Sequence, residues 1–225
     1  MAELIEFVDD KVGLDNTLIV LSADHGGPDT PGYLNGLKIP AGYVNPDDWG
    51  KDAAIARIKK EFGIEGDLIA AYDHPYVYFS DDVKNNRKID QAALEAAVVE
   101  ELTRFHGVSL AVSSTALRHG ELPDTDMYRP VINNFNPKRS GEVFVVFEPN
   151  WFINDMEGLT VASTHGSPWR YDTYVPIVFA GAGLKPQTVD RRVQTVDVAV
   201  TVSAYMGIKP PSGSAGVPLT EVLAK

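Results

Sequence analysis

A carboxylate and an imidazole stand side by side at Asp24 and His25, shortly after the apolar run of residues 18–21. An apolar run followed by glycine and proline predicts a buried strand, which places both side chains at its carboxyl end. Open α/β sheets bind their ligands at that end. Two interpretations remain open. The pair can bind a divalent cation such as zinc, or it forms a polar turn in which Asp24 caps the following segment.

A second histidine, His165, lies in the Thr-His-Gly-Ser turn of residues 164–167, ahead of a strand-like run at residues 175–180. A histidine in such a turn can supply a further metal ligand from another loop. The sequence contains no cysteine, so a zinc site would be built from Asp and His side chains. We therefore expect Asp24, His25 and His165 to converge at one edge of a sheet.

Three continuous apolar runs, at residues 17–22, 142–147 and 175–180, predict the strands that position these motifs. Runs that do not alternate with polar residues are typical of a sheet that is covered on both faces. The long segment between the first two runs has its own pattern of strands and helices. The sequence therefore predicts a core sheet and a subdomain inserted into it.

Capping residues and glycines mark the boundaries of the expected helices and hairpins. The expected helices are a first helix ending near Val12, a helix through residues 53–58 capped by Asp47 or Asp48, a helix from Gln91 to about Phe105 capped by Asp90, and a last helix at residues 196–206 capped by Thr195. A hairpin is expected at residues 68–72 and 76–79, and a further strand at residues 108–112.

The composition limits the classes of function. The 225 residues carry a formal charge of −11, and 44% of them are hydrophobic, which is typical of a globular domain. This charge argues against binding to nucleic acid or to an anionic membrane, because both need basic patches. No apolar run is long enough to cross a bilayer, and the N-terminus lacks the features of a signal peptide.

Three stretches resemble segments of the alkaline phosphatase superfamily. Residues 17–27 resemble its T-L-I-V-x-S-A-D-H-G segment, residues 165–181 resemble its H-G-S-x-x-x-Y-D-x-x-V-P-I-x-F-x-G segment, and residues 196–210 resemble its closing helix. The insert that ends at residues 134–143 is most similar to bacterial alkaline phosphatases with a threonine nucleophile. That branch is akin to the type I phosphodiesterases and nucleotide pyrophosphatases.

The resemblance implies an α/β fold, as part of a doubly wound αβα sandwich with a mostly parallel sheet, plus an inserted α+β subdomain. It divides the chain into core residues 1–39, inserted residues 40–140 and core residues 141–225. It also implies two divalent cations, usually zinc, in the intact enzyme. Asp24 and His25 would bind the cation that activates the nucleophile, and His165 would bind the other.

The family's nucleophilic threonine and its remaining ligand motif have no match in this sequence. The chain is therefore expected to be the C-terminal part of a phosphatase that hydrolyses phosphomonoesters, with the nucleophile and half of the metal ligands upstream. No catalytic or substrate-binding residue is assigned within it, and the isolated chain is expected to be inactive. The alternatives are a phosphodiesterase or nucleotide pyrophosphatase of the same superfamily, and a non-catalytic α/β domain.

The resemblance further implies a phosphate ester as substrate and a periplasmic or extracellular location for the parent protein. Self-association through a core face left exposed by truncation is also expected. Asp172 is expected to brace the loop of His165 rather than to bind metal. The other histidines, His74, His106 and His119, are expected to be solvated or to cap local structure.

Overall fold

The computed structural model describes residues 1–153, 162–181 and 183–223. The helices in this part of the chain are α1 (Ala2–Lys11), α2 (Pro31–Gly36), α3 (Ala53–Glu61), α4 (Asp81–Lys84), α5 (Gln91–Leu102), α6 (Ser114–His119), α7 (Tyr128–Asn134), α8 (Arg170–Thr173), α9 (Asp197–Met206) and α10 (Thr220–Leu223). The strands are β1 (Leu18–Ser22), β2 (Gly42–Val44), β3 (Ile69–Asp73), β4 (Tyr76–Phe79), β5 (Val108–Ser113), β6 (Val143–Phe147), β7 (Trp151–Ile153) and β8 (Ile177–Gly181). None of the described helices is long and apolar enough to span a bilayer.

The chain divides into two compact units. The terminal unit comprises Met1–Asp24 and Tyr174–Lys225, and the central unit comprises His25–Thr173. The division falls between the two members of the Asp-His pair.

In the terminal unit, β1 pairs with β8 in antiparallel register, from Leu18 opposite Gly181 to Ser22 opposite Ile177. Gly181 has a positive φ of 85°, and a Cβ there would lie 2.2 Å from the carbonyl oxygen of Thr17. Only glycine therefore allows the two backbones to approach this closely.

The C-terminal part of this unit is held by hydrogen bonds to the side chains of α9. The Asp197 carboxylate accepts from the backbone N–H of Val217, at 2.8 Å. The Thr201 hydroxyl, which is fully buried, accepts from the N–H of Leu219 at 2.9 Å. These bonds satisfy buried polar groups and fix the segment that leads into α10.

In the central unit, four antiparallel strands form a sheet in the order β3-β4-β6-β5. All five residues of β6 are buried. Val143, Val145 and Phe147 face one hydrophobic cluster, which includes the buried side chains of α3 and α5. Phe144 and Val146 face a second cluster, on the side of α7. The sheet is therefore covered on both faces, and β6 lies at its centre. A separate pair, β2 and β7, is parallel.

Most of the local predictions are confirmed. The hairpin of β3 and β4, strand β5, helix α1 and helix α5 lie where they are expected, and the Asp90 carboxylate accepts from the N–H of Ala93 at the start of α5. The α/β class is confirmed as well. Parallel pairing is confined, within the described residues, to β2 and β7.

Several boundaries differ from the predictions. Helix α3 is capped by Asp52, because Asp47 and Asp48 lie in a preceding 3-10 helix. Helix α5 ends at Leu102 rather than near Phe105. Helix α9 has Val196, not Thr195, at its N-cap. A capping signal indicates that a helix begins nearby. Where several acidic residues lie close together, it does not show which of them is the N-cap.

The tertiary placement of the three apolar runs also differs. Strand β6 pairs with β4 and β5, so it shares a sheet with strands of the 40–140 segment, whereas the sequence assigned it to the core segment. Strands β1 and β8 are half-buried or exposed along their lengths rather than buried. An apolar run shows that a strand can be buried, but it does not specify which neighbours cover it.

Candidate functional site

Two imidazoles from distant parts of the sequence meet in the central unit. The rings of His25 and His165 are stacked, with centroids 3.5 Å apart and an interplanar angle of 7°. His25 lies at the start of the loop after β1, and His165 lies in the loop before α8. The predicted convergence of these two side chains is therefore seen in the structure.

The hydrogen bond of His25 defines its tautomer. Its Nδ1 lies 2.6 Å from the carbonyl oxygen of Gly26. A carbonyl oxygen can only accept, so Nδ1 carries the hydrogen, and in the neutral ring the lone pair belongs to Nε2. A backbone carbonyl that fixes one ring nitrogen in this way is a common arrangement behind a metal-binding histidine.

Asp172 joins the loops that carry the two histidines. Its backbone carbonyl accepts from the N–H of Gly26, at 2.8 Å. Its Oδ2 accepts from the N–H of Ser167 at 2.8 Å and from the Ser167 hydroxyl at 2.6 Å. The residue is only 5% exposed. The role predicted for Asp172, bracing the His165 loop, agrees with these contacts.

Residue 26 must be glycine for the loop of His25 to make this contact with Asp172. A Cβ at this position would lie 2.0 Å from the carbonyl oxygen of Tyr171, which is far inside van der Waals contact. The backbone of the His25 loop can therefore approach α8 only because residue 26 has no side chain. The neighbouring Gly27 has nothing within 4 Å of such a Cβ.

Helix α8 is anchored in turn to the end of the central sheet. The indole N–H of Trp169 donates to the carbonyl oxygen of Phe147 at 2.9 Å. The Tyr171 hydroxyl accepts from the N–H of Asn150 at 3.1 Å. Burial raises the pKa of Tyr171, so its hydroxyl stays protonated. The position of His165 thus depends on the buried sheet through two aromatic side chains.

His74, which the sequence predicted to be solvated at a hairpin tip, lies against the His165 loop. Its Nδ1 is 2.8 Å from the Tyr72 hydroxyl, and its Nε2 is buried against the backbone of Gly166. Burial lowers the pKa of His74, an effect partly opposed by the Gly166 backbone and the Asp172 carboxylate. No local sequence signal marks this residue, because its neighbours come from a loop much later in the chain.

His119 has the local, exposed position predicted for it, whereas His106 contacts a residue far along the chain. The ring of His106 stacks edge-on against Trp151, with centroids 4.5 Å apart. His119 lies in the last turn of α6, where its Nδ1 is 3.4 Å from Glu121. Neither residue contributes to the pair of stacked imidazoles.

Asp24 lies where the sequence predicts it, two residues after β1, and it is exposed. Carboxylate and imidazole are the donor types that zinc prefers, so the residues fit a zinc site in kind. They do not fit it in number. Within residues 1–153, 162–181 and 183–223, no three His, Asp or Glu side chains converge closely enough to hold a metal ion. A structural or catalytic zinc needs about four donors.

Known proteins resemble this chain along almost its whole length. The sequence profile of the type I phosphodiesterase / nucleotide pyrophosphatase family matches residues 1–168. Alkaline phosphatase PafA of Elizabethkingia meningoseptica is 30% identical over 100% of the chain, and a protein of Myroides odoratus named calcium-transporting ATPase is 29% identical over 99% of it. The chain spans 40% of the length of each of these two relatives.

A solved structure supports the same comparison. The crystal structure of wild-type alkaline phosphatase PafA superimposes with a TM-score of 0.84 at 31% identity. The match covers 99% of this chain and 41% of that structure. The chain therefore resembles PafA in its fold as well as in its sequence.

Proposed function

Because this chain belongs to the type I phosphodiesterase / nucleotide pyrophosphatase family of hydrolases, we propose that it forms part of a metal-dependent phosphatase that hydrolyses phosphomonoesters. The stacking of His25 on His165 supports this proposal most directly. Imidazole is a suitable ligand for zinc and other transition metals, and this contact brings two imidazoles from separate loops together, with ring centroids 3.5 Å apart.

In the proposed site, Asp24, His25 and His165 are metal ligands for a pair of divalent cations, with zinc as the expected metal. A bound cation would polarise the phosphoryl oxygen of the substrate. The protein's own residues orient the ligands: Gly26 fixes the tautomer of His25, and Asp172 holds both loops.

The nucleophile and the remaining ligands are proposed to come from residues outside this chain. Two observations favour this: no three candidate ligands converge in the described residues, and the chain spans 40% of the relatives that it matches. The isolated chain is therefore expected to bind zinc weakly and to show no turnover of p-nitrophenyl phosphate.

Calorimetric titration with zinc tests the ligand assignment. The expected result is weak binding by the wild-type chain that is lost in His25→Ala and in His165→Ala. His119→Ala, which changes an exposed histidine outside the site, is the matched control and is expected to bind as the wild type does. Unchanged affinity in both ligand variants would show that the assignment is wrong. A wild-type chain that binds no zinc would favour a non-catalytic α/β domain.

A phosphodiesterase is the second candidate, because the matching family is named for phosphodiesterases and nucleotide pyrophosphatases. The two activities would use the same metal ligands and differ in the pocket for the second ester group. The longer protein that contains this chain can be assayed with p-nitrophenyl phosphate and with the bis-ester. Faster turnover of the monoester is expected. Faster turnover of the bis-ester would favour a phosphodiesterase over a phosphatase.

A further inference from the structure

A small cavity lies behind the His165 loop, inside the central unit. Its volume is about 20 Å³, and its lining includes His74, His165, Asp172 and the apolar side chain of Phe147. A cavity needs about 10–15 Å³ to hold one water molecule, and the water needs two or more polar partners. The volume therefore allows a single bound water.

Two of the residues that line this cavity each carry a buried polar atom with no hydrogen-bond partner among the described residues. These atoms are Nε2 of His74 and Oδ1 of Asp172. Buried polar atoms are almost always hydrogen-bonded to protein or to ordered water, because leaving them unpaired is costly. An imidazole nitrogen and a carboxylate oxygen, on two residues that line one cavity of this size, can serve as the two partners of a bridging water.

The chemistry of the neighbouring groups is consistent with a bridge of this kind. The Tyr72 hydroxyl can donate to Nδ1 of His74, at 2.8 Å, which leaves the ring hydrogen on Nε2. That hydrogen can be donated to a water, and the water can donate to the carboxylate oxygen of Asp172. Each of these three hydrogen bonds then joins a donor to an acceptor.

We propose that His74 is a positioning residue for His165, joined to Asp172 through one water molecule in this cavity. The other oxygen of Asp172 holds Ser167, and its carbonyl holds Gly26. A bridge to His74 would thus connect the inserted hairpin of β3 and β4 to the loops of both stacked histidines. The role of His165 as a metal ligand rests on the proposed function, whereas its positioning by His74 does not.

The experiment measures the NMR signals of the His165 imidazole in the metal-free full chain. Ring ¹⁵N resonances are recorded for the wild type, His74→Leu and His74→Gln, with His119→Leu as the matched control. The expected result is a shift of the His165 ring signals in His74→Leu, none in the control, and recovery in His74→Gln, whose side-chain amide can donate in place of Nε2. Unmoved His165 signals in a folded His74→Leu variant would overturn the proposal.

A milder variant covers the case in which His74→Leu does not fold. Tyr72→Phe removes only the hydroxyl that faces Nδ1 of His74, and a smaller shift of the same His165 signals is expected. A water–protein cross-relaxation peak at the His74 ring is expected in the wild type, and a dry cavity would overturn the bridge. Because these readouts need no metal, a failure of zinc binding would affect the proposed function alone.

Discussion

At the scale of single residues, Asp172 connects the parts of the candidate site. It accepts three hydrogen bonds from the loops of His25 and His165, and its own N–H donates to the carbonyl oxygen of Trp169 at 3.0 Å. Two of these bonds end on Oδ2 of the buried carboxylate, where they offset part of the cost of its lost solvation. The stacked histidines are therefore held by a residue that the sequence predicts to brace the loop of His165.

Gly26→Ala is expected to destabilise the chain by about 3 kcal/mol, because the new methyl group would collide with the backbone carbonyl of Tyr171. Gly27→Ala, at the adjacent open position, is the matched control. Its free energy of unfolding is expected to differ from that of the wild type by less than about 0.5 kcal/mol. Urea denaturation of both variants measures the difference. Equal effects would mean that the close approach of Gly26 to α8 does not exist in solution.

The stability of the chain is expected to depend on pH through His74. Burial lowers the pKa of His74 in the folded state below its unfolded value of about 6.5. Protonation therefore favours the unfolded chain. The contribution of the neutral ring is fully present above pH of about 6.5, and it is lost as the pH falls below that value.

Replacing His74 by glutamine removes this titration while keeping a polar side chain. The free energy of unfolding is measured for both proteins at pH 7.5 and pH 5, in buffer with a chelator. The expected result is that the wild type loses more stability than His74→Gln on acidification. A difference between the two proteins that stays constant with pH would contradict the prediction.

At the scale of elements, β6 organises the central unit because alternate residues of this strand enter both hydrophobic clusters. Helix α5 covers one face of the sheet with Leu94, Val98 and Leu102, which are fully buried. The same helix presents Glu95, whose carboxylate accepts from the hydroxyl of Ser114 and from the N–H of Thr115. Helix α5 thus fixes the start of α6 as well as the core.

Asp90→Ala is expected to destabilise the chain by about 1 kcal/mol, because the Asp90 carboxylate caps α5 through the N–H of Ala93. Ser80, at the N-cap of α4, makes no capping hydrogen bond with its side chain, so Ser80→Ala is the matched control. Chemical denaturation measures the free energy of unfolding of both variants. A loss of stability in Ser80→Ala as large as that in Asp90→Ala would contradict the capping role of Asp90.

At the scale of the whole molecule, the two units differ in how much apolar surface they cover. The central unit encloses two hydrophobic clusters. In the terminal unit, α1 buries none of its side chains among the described residues, and Leu4 and Phe7 are 61% and 60% exposed. Exposed apolar patches on a soluble protein are typical sites of association.

The chain is therefore expected to self-associate through α1. Sedimentation equilibrium at rising concentration is expected to give masses above the 24.5 kDa of the monomer, and the double variant Leu4→Glu, Phe7→Glu is expected to move the mass toward the monomer. Ile132→Glu changes an exposed apolar residue of the central unit and serves as the control. A wild-type chain that remains monomeric at every concentration would refute the prediction.

The sequence by itself determined the features that depend on neighbouring residues. Helices α1 and α5, the hairpin of β3 and β4, and the positions of Asp24 after a strand and of His165 in a loop follow from periodicity, capping and glycine placement. These signals act over a few residues, so they can be read without knowing the rest of the fold. The α/β class follows from the succession of such elements.

Only the tertiary structure decided the long-range pairings. It set β1 antiparallel to β8, placed β6 in the sheet of β3, β4 and β5, and brought His74 against the loop of His165. Periodicity shows that a strand or loop has an apolar or polar side, but it does not name the partner that this side meets. That choice depends on the packing of the whole chain, because contacts between distant residues form only together with the rest of the core.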